Sequence, residues 1–131
     1  IPIDLNLADS VQLEALPGIG PTLAKRIITY RKLIGFYSQL EFLNKVYGLK
    51  GKHFLAASPY LYVHELPSPT LDLNTVSKKK LSYLPFMEKE SVEKFYFERK
   101  KMGRFQDWEE FRKLMEISAE ELSVWKAYFK L

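Results

Sequence analysis

Two short stretches carry the residue types that could hold an anion: Leu16-Pro17-Gly18-Ile19-Gly20-Pro21 and Tyr47-Gly48-Leu49-Lys50-Gly51. A glycine turn lets a ligand approach the bare backbone. Where such a turn opens a helix, the first N–H groups are unpaired and carry partial positive charge. A phosphate oxygen suits that arrangement. In the first stretch Ile19 is expected to point inward and fix the turn, leaving the N–H groups of Gly18, Gly20, Thr22 and Leu23 for the ligand. Lys25 and Arg26, within one turn of the helix start, would add charge toward flanking phosphates. In the second stretch Gly48 and Gly51 are the turn glycines, and Lys50 and Lys52 add charge beside them. Contacts of this kind position a protein on a nucleic-acid backbone without reading bases, and they weaken with salt. On its own, a two-glycine turn also serves as a plain tight connection, which is its commoner use, so residue type alone leaves both readings open.

Other chemistries find little support. His53 and His64 are the only histidines and have no carboxylate pair at ligand spacing, so no metal site is expected. The absence of cysteine excludes disulfides, zinc–thiolate sites and a Cys nucleophile. Glu109/Glu110 and Glu120/Glu121 read as capping and solubility residues, and no nucleophile stands with a base. The chain is therefore expected to be no enzyme and to use no cofactor. Twenty Lys and Arg against sixteen Asp and Glu give a net charge of +4, which permits a polyanionic partner without selecting one. The aromatic residues, 15% of the chain, mostly occupy helical apolar positions and read as core. No apolar run approaches the roughly 20 residues of a membrane helix. A chain that opens on Ile1 instead of Met is expected to be a processed or excised piece.

The elements that would position these residues come in two similar sets. A shift of 68 residues, from 4 to 72, aligns residues 4–63 with 72–131 without a gap. Identities include Asp4/Asp72, Asn6/Asn74, Pro17/Pro85, Arg31/Arg99 and Gly35/Gly103, and apolar character is often kept between them. The expected organisation is a module over 1–64, a proline-bearing linker over 65–70 and a second module over 71–131. In the first module Asp9 with Gln12 forms a capping box for a helix running to Leu16, where Pro17 stops it. Pro21 opens a second helix to Ile34 with Gly35 beyond its end. A third helix is expected over 39–46 and a fourth over 52–57, with only residues 60–63 as an extended segment. Each half thus reads as four or five short helices in two hairpins.

The second half keeps the helices and changes the turns. Phe86, Met87 and Glu88 replace Gly18, Ile19 and Gly20, and Glu90 follows in the first helical turn, where a carboxylate stabilises the helix and repels an anion. Ser77 caps the first helix of this half, and Ser118 with Glu121 opens its last one. Glu116, Glu120 and Glu121 make the remaining turn acidic. Lys78-Lys79-Lys80 and Arg99-Lys100-Lys101 read as solvated helical faces.

The pattern Asp4-Leu5-Asn6-Leu7-Ala8, Leu13, Leu16-Pro17-Gly18-Ile19-Gly20, Tyr30-Arg31, Gly35-Phe36-Tyr37 and Val46-Tyr47-Gly48-Leu49 closely resembles the helix-hairpin-helix domain of the bacterial competence DNA-receptor family. The resemblance is strong over 3–63 and weak over 71–131. It implies an all-α fold of tandem helix-hairpin-helix modules, helical bundles akin to SAM domains, the second copy degenerate. It also implies non-specific contact with the phosphates of double-stranded DNA in uptake or repair, without metal or cofactor. Carried over by position, it assigns Gly18, Ile19 and Gly20 to the first hairpin and Gly48 and Gly51 to the second. An envelope-associated or extracytoplasmic location follows if the competence likeness holds, and a cytoplasmic one otherwise. The competing expectation is a protein-interaction scaffold that keeps the fold without binding DNA, with a partner docking on the second module around Phe86, Met87 and Trp108.

Overall fold

The computed structural model describes residues 1–131, which divide into two compact units, Ile1–Leu66 and Pro67–Leu131. Both are helical. The first begins with a two-residue strand, β1 (Ile3–Asp4), and ends with β2 (Leu61–Tyr62), which pair in parallel with Ile3 opposite Leu61. The sequence anticipates an extended segment near Leu61 but not its partner, because two residues are too few to show alternation.

Between these strands, α1 (Ser10–Glu14) starts at Asp9, whose carboxylate accepts the Gln12 N–H while the Gln12 side chain accepts the Asp9 N–H. The helix stops short of the expected Leu16. Approaching Pro17, the Leu16 N–H turns to the Leu13 carbonyl at 3.1 Å, a tighter bond than an α-helix makes. The second helix, α2 (Pro21–Ile34), has the expected bounds, with Pro21 in its first turn and Gly35 beyond its end at φ +97°. The third expected helix, over 39–46, is instead a 3₁₀ segment, Leu40–Lys45. Its preceding residue, Gln39, supplies no side-chain cap. In the second unit Asp107 caps the corresponding segment, which forms a true α-helix. The helix α3 (Lys52–Ala57) and a 3₁₀ turn (Ser58–Tyr60) lead into β2.

The second unit runs through β3 (Leu71–Asp72), α4 (Lys78–Ser82), α5 (Lys89–Met102), α6 (Trp108–Met115), α7 (Ala119–Tyr128) and β4 (Phe129–Lys130). Again β3 pairs in parallel with β4, Leu71 opposite Phe129. Ser77 and Ser118 cap α4 and α7, as their positions predict.

The residues shared at the 68-residue shift turn out to build a hydrogen-bonded frame. Asn6 Nδ2 donates to the Tyr37 carbonyl at 2.9 Å and Asn6 Oδ1 accepts the Tyr37 N–H at 2.7 Å; Asn74 makes both bonds to Phe105, at 3.2 and 2.7 Å. Arg31 Nη1 donates to the carbonyls of Leu5 and Ala8, and Arg99 Nη1 to those of Leu73 and Val76. Arg99 is thus held by backbone and is no free member of the basic cluster that the sequence presents. The cores on this frame differ. Leu13, Ile27, Leu43 and Ala57 are buried in the first unit, whereas Leu81, Phe95, Phe111 and Trp125 fill the same places in the second.

Candidate nucleic-acid interface

Each glycine turn of the first unit drives one apolar side chain into the core. Ile19 is 4% exposed, as expected, and Leu49 is 1% exposed. The Ile19 N–H closes on the Leu16 carbonyl and the Leu49 N–H on the Val46 carbonyl, both at 3.1 Å. This settles the register of the second turn. Gly48 and Leu49 match Gly18 and Ile19, and Lys50 is an added exposed residue instead of the inward one. Gly18 and Gly48 have φ of +78° and +90°, a region that residues with a side chain rarely enter. Gly20, by contrast, has φ −97° and open space where a Cβ would lie.

The two turns are packed against one another's helices. A Cβ on Gly18 would lie 3.1 Å from His53 Nδ1, in the first turn of α3. A Cβ on Gly48 would lie 3.1 Å from both Arg26 Nη1 and Leu23 Cδ2, on α2. Neither Gly20 nor Gly51, the residues preceding α2 and α3, supplies a side-chain cap. The N–H groups of Gly18, Gly20, Thr22 and Leu23 make no hydrogen bond within the protein, and neither do those of Gly48, Lys50, Gly51 and Lys52. The fold therefore brings two sets of unpaired amides together at adjoining turns.

Charge surrounds them on one side of the ledger only. Thr22, Lys25, Lys50 and Lys52 are exposed, and no cation of the first unit is paired with a carboxylate. Arg26 departs from expectation. Its Nη1 donates to the Tyr47 carbonyl at 3.2 Å and its guanidinium lies 4.8 Å from the centre of the Tyr47 ring. It ties α2 to the second turn before it serves any ligand. Two contributors were not singled out from sequence, His53 and Tyr47, because only the packing of one turn on the other gives them a role.

The second unit treats the same places differently. Phe86, in the position of Gly18, lays its ring 5.4 Å from Trp125 and 5.5 Å from Tyr128. Ser118 Oγ accepts the Glu121 N–H and the Glu121 carboxylate accepts the Ser118 N–H, both at 3.0 Å, so the start of α7 is satisfied internally. Lys94 pairs with Glu116 at 3.3 Å and Lys78 with Glu93 at 3.6 Å. The apolar patch expected at Phe86, Met87 and Trp108 is half-buried, with the Trp108 ring edge-on to Phe111 at 5.6 Å. No helix of either unit is long and apolar enough to cross a membrane.

Neither a curated protein nor a solved structure matches the chain. A family model does match over residues 1–62. The model is that of the helix-hairpin-helix motif, generally associated with non-specific DNA binding, and the adjoining glycine turns lie within the matched span.

Proposed function

We propose that the chain binds duplex DNA without sequence preference, its first unit gripping backbone phosphates through the N–H groups of both glycine turns. The observation that carries this reading is the pair of adjoining turns whose amides have no internal partner. Hydrogen bonds from amides to phosphate oxygens are charge-assisted and are stronger than neutral ones. Lys25, Lys50 and Lys52 add attraction toward a polyanion, while Arg26 fixes the second turn against α2. In this reading the protein acts by binding and not by catalysis. The likeness of 3–63 to competence DNA receptors favours a role in DNA uptake, with repair the other setting for the same contact.

The second unit is read as a degenerate copy of the same module, the two modules spanning 1–64 and 71–131. Its support is the repeated Asn and Arg frame. With Phe86 and Glu88 in place of the first turn's glycines and the start of α7 capped internally, it serves as scaffold or protein contact.

Fluorescence anisotropy of a random-sequence duplex, titrated at several salt concentrations, tests the DNA reading with wild type beside Gly20→Glu. Because Gly20 has an ordinary φ and open space, this substitution leaves the fold intact, which circular dichroism verifies. Affinity should fall about tenfold or more in the variant, because the added carboxylate repels the phosphate and covers the amides it would reach. Equal affinity would remove the turn as the phosphate site.

A further inference from the structure

Beside the second turn runs a groove of about 450 Å³ lined by Lys25, Arg26, Tyr30, Leu33, Lys45 and Tyr47 among others, with no Asp or Glu in its walls. At its mouth Tyr47 is 81% exposed even with the Arg26 guanidinium over its ring. The matching residue of the second unit, Met115, is 5% exposed and belongs to the core. Exposure of a large ring next to a phosphate-binding turn has a use if something planar covers it. Bases inside a duplex are stacked on their neighbours and offer no free face, whereas an unpaired base does.

The geometry points to this groove as a site for an unpaired nucleotide that continues a strand held at the turns, its base stacked at Tyr47 and its phosphates facing Lys25 and Lys45. Tyr47 directly precedes Gly48, and Thr22 and Lys25 lie on the first turn of α2, so the groove is continuous with the phosphate site and rests on the DNA reading above. Its purely cationic charge fits a nucleic-acid strand. The preferred substrate class is then duplex DNA with a single-stranded extension or gap.

The test compares a blunt duplex with the same duplex carrying an oligothymidine tail, and places a fluorescent aminopurine in the tail to report stacking. Wild type should bind the tailed DNA at least about fivefold more tightly and quench the aminopurine, the effect expected of one base–aromatic stack. Tyr47→Phe, which keeps the ring, should retain the preference, and Tyr47→Ala should bring the tailed-to-blunt ratio to about one. Equal affinity for both DNAs with no quenching overturns the inference and leaves duplex binding standing. Failure to bind either DNA overturns both. Binding of a polyglutamate peptide with no tail preference assigns the groove to an acidic protein segment and likewise overturns the inference.

Discussion

The two units share one frame and differ in what they do with their turns. Asn6 and Asn74, Arg31 and Arg99 make the same backbone bonds at the same separations, and each unit closes on a two-residue parallel pairing. Over that frame the first unit keeps glycine turns packed against facing helices, Gly18 against His53 and Gly48 against Arg26 and Leu23. The second places Phe86 against Trp125 at the first of these turns and caps the start of α7 with its own Ser118 and Glu121 at the other. Fold and anion site are therefore separable. Frame residues preserve the shape of the module, while a handful of turn residues change from glycine to bulky, acidic or capping side chains.

The sharpest way to break the comparison is to open the aromatic core of the second unit. Trp125 is buried and contacts Phe86, Phe95 and Phe111, so Trp125→Ala should cost about 3–5 kcal/mol in a denaturant melt. If DNA is held by the first unit, duplex affinity under native conditions changes little. A parallel collapse of affinity would place the second unit in the interface.

A smaller effect is expected at Gly48, where a left-handed φ and the close approach of Arg26 and Leu23 both oppose a side chain. Gly48→Ala should lower stability by about 1–2 kcal/mol from conformation alone, read by chemical denaturation. It should also weaken duplex binding, whereas Gly103→Ala, also at positive φ but in the second unit, should lower stability without affecting binding.

The smallest effect is electrostatic. The Arg112 guanidinium, hydrogen-bonded to Glu109 at 2.6 Å, holds that carboxyl below its ordinary value, and Glu109 in turn raises Arg112. A lowered carboxylate contributes stability above its ordinary pKa and loses it as pH falls through the lowered value. Glu109→Gln should therefore be slightly less stable than wild type at neutral pH and equal to it in strong acid. Both groups are exposed, so the difference is slight and shrinks with salt.

Much of the fold is legible in the residues that act locally. Asp9 with Gln12, Pro21, Gly35 and Ser118 with Glu121 mark helix ends, and all of them do so in the structure. What the sequence conceals depends on distant partners. The pairing of Ile3 and Asp4 with Leu61 and Tyr62 joins opposite ends of a unit, and the 3₁₀ character of Leu40–Lys45 follows from a missing cap more than from its apolar pattern. At the candidate site, Gly18, Gly20, Gly48 and Gly51 are legible because turn chemistry is local. The engagement of Arg26 with Tyr47 and the seat of Gly18 against His53 arise only when one turn packs on the other. Residue type made Arg26 a phosphate ligand; packing makes it first a strut.

The central claim is that phosphate is held by backbone amides of the first unit. It is tested most directly by following the amide proton and nitrogen signals of the six glycines while duplex DNA is added. The signals of Gly18, Gly20, Gly48 and Gly51 should shift, and those of Gly35 and Gly103 should stay in place. Shifts confined to the second unit, around Lys78, Lys79 and Lys80, would contradict the account.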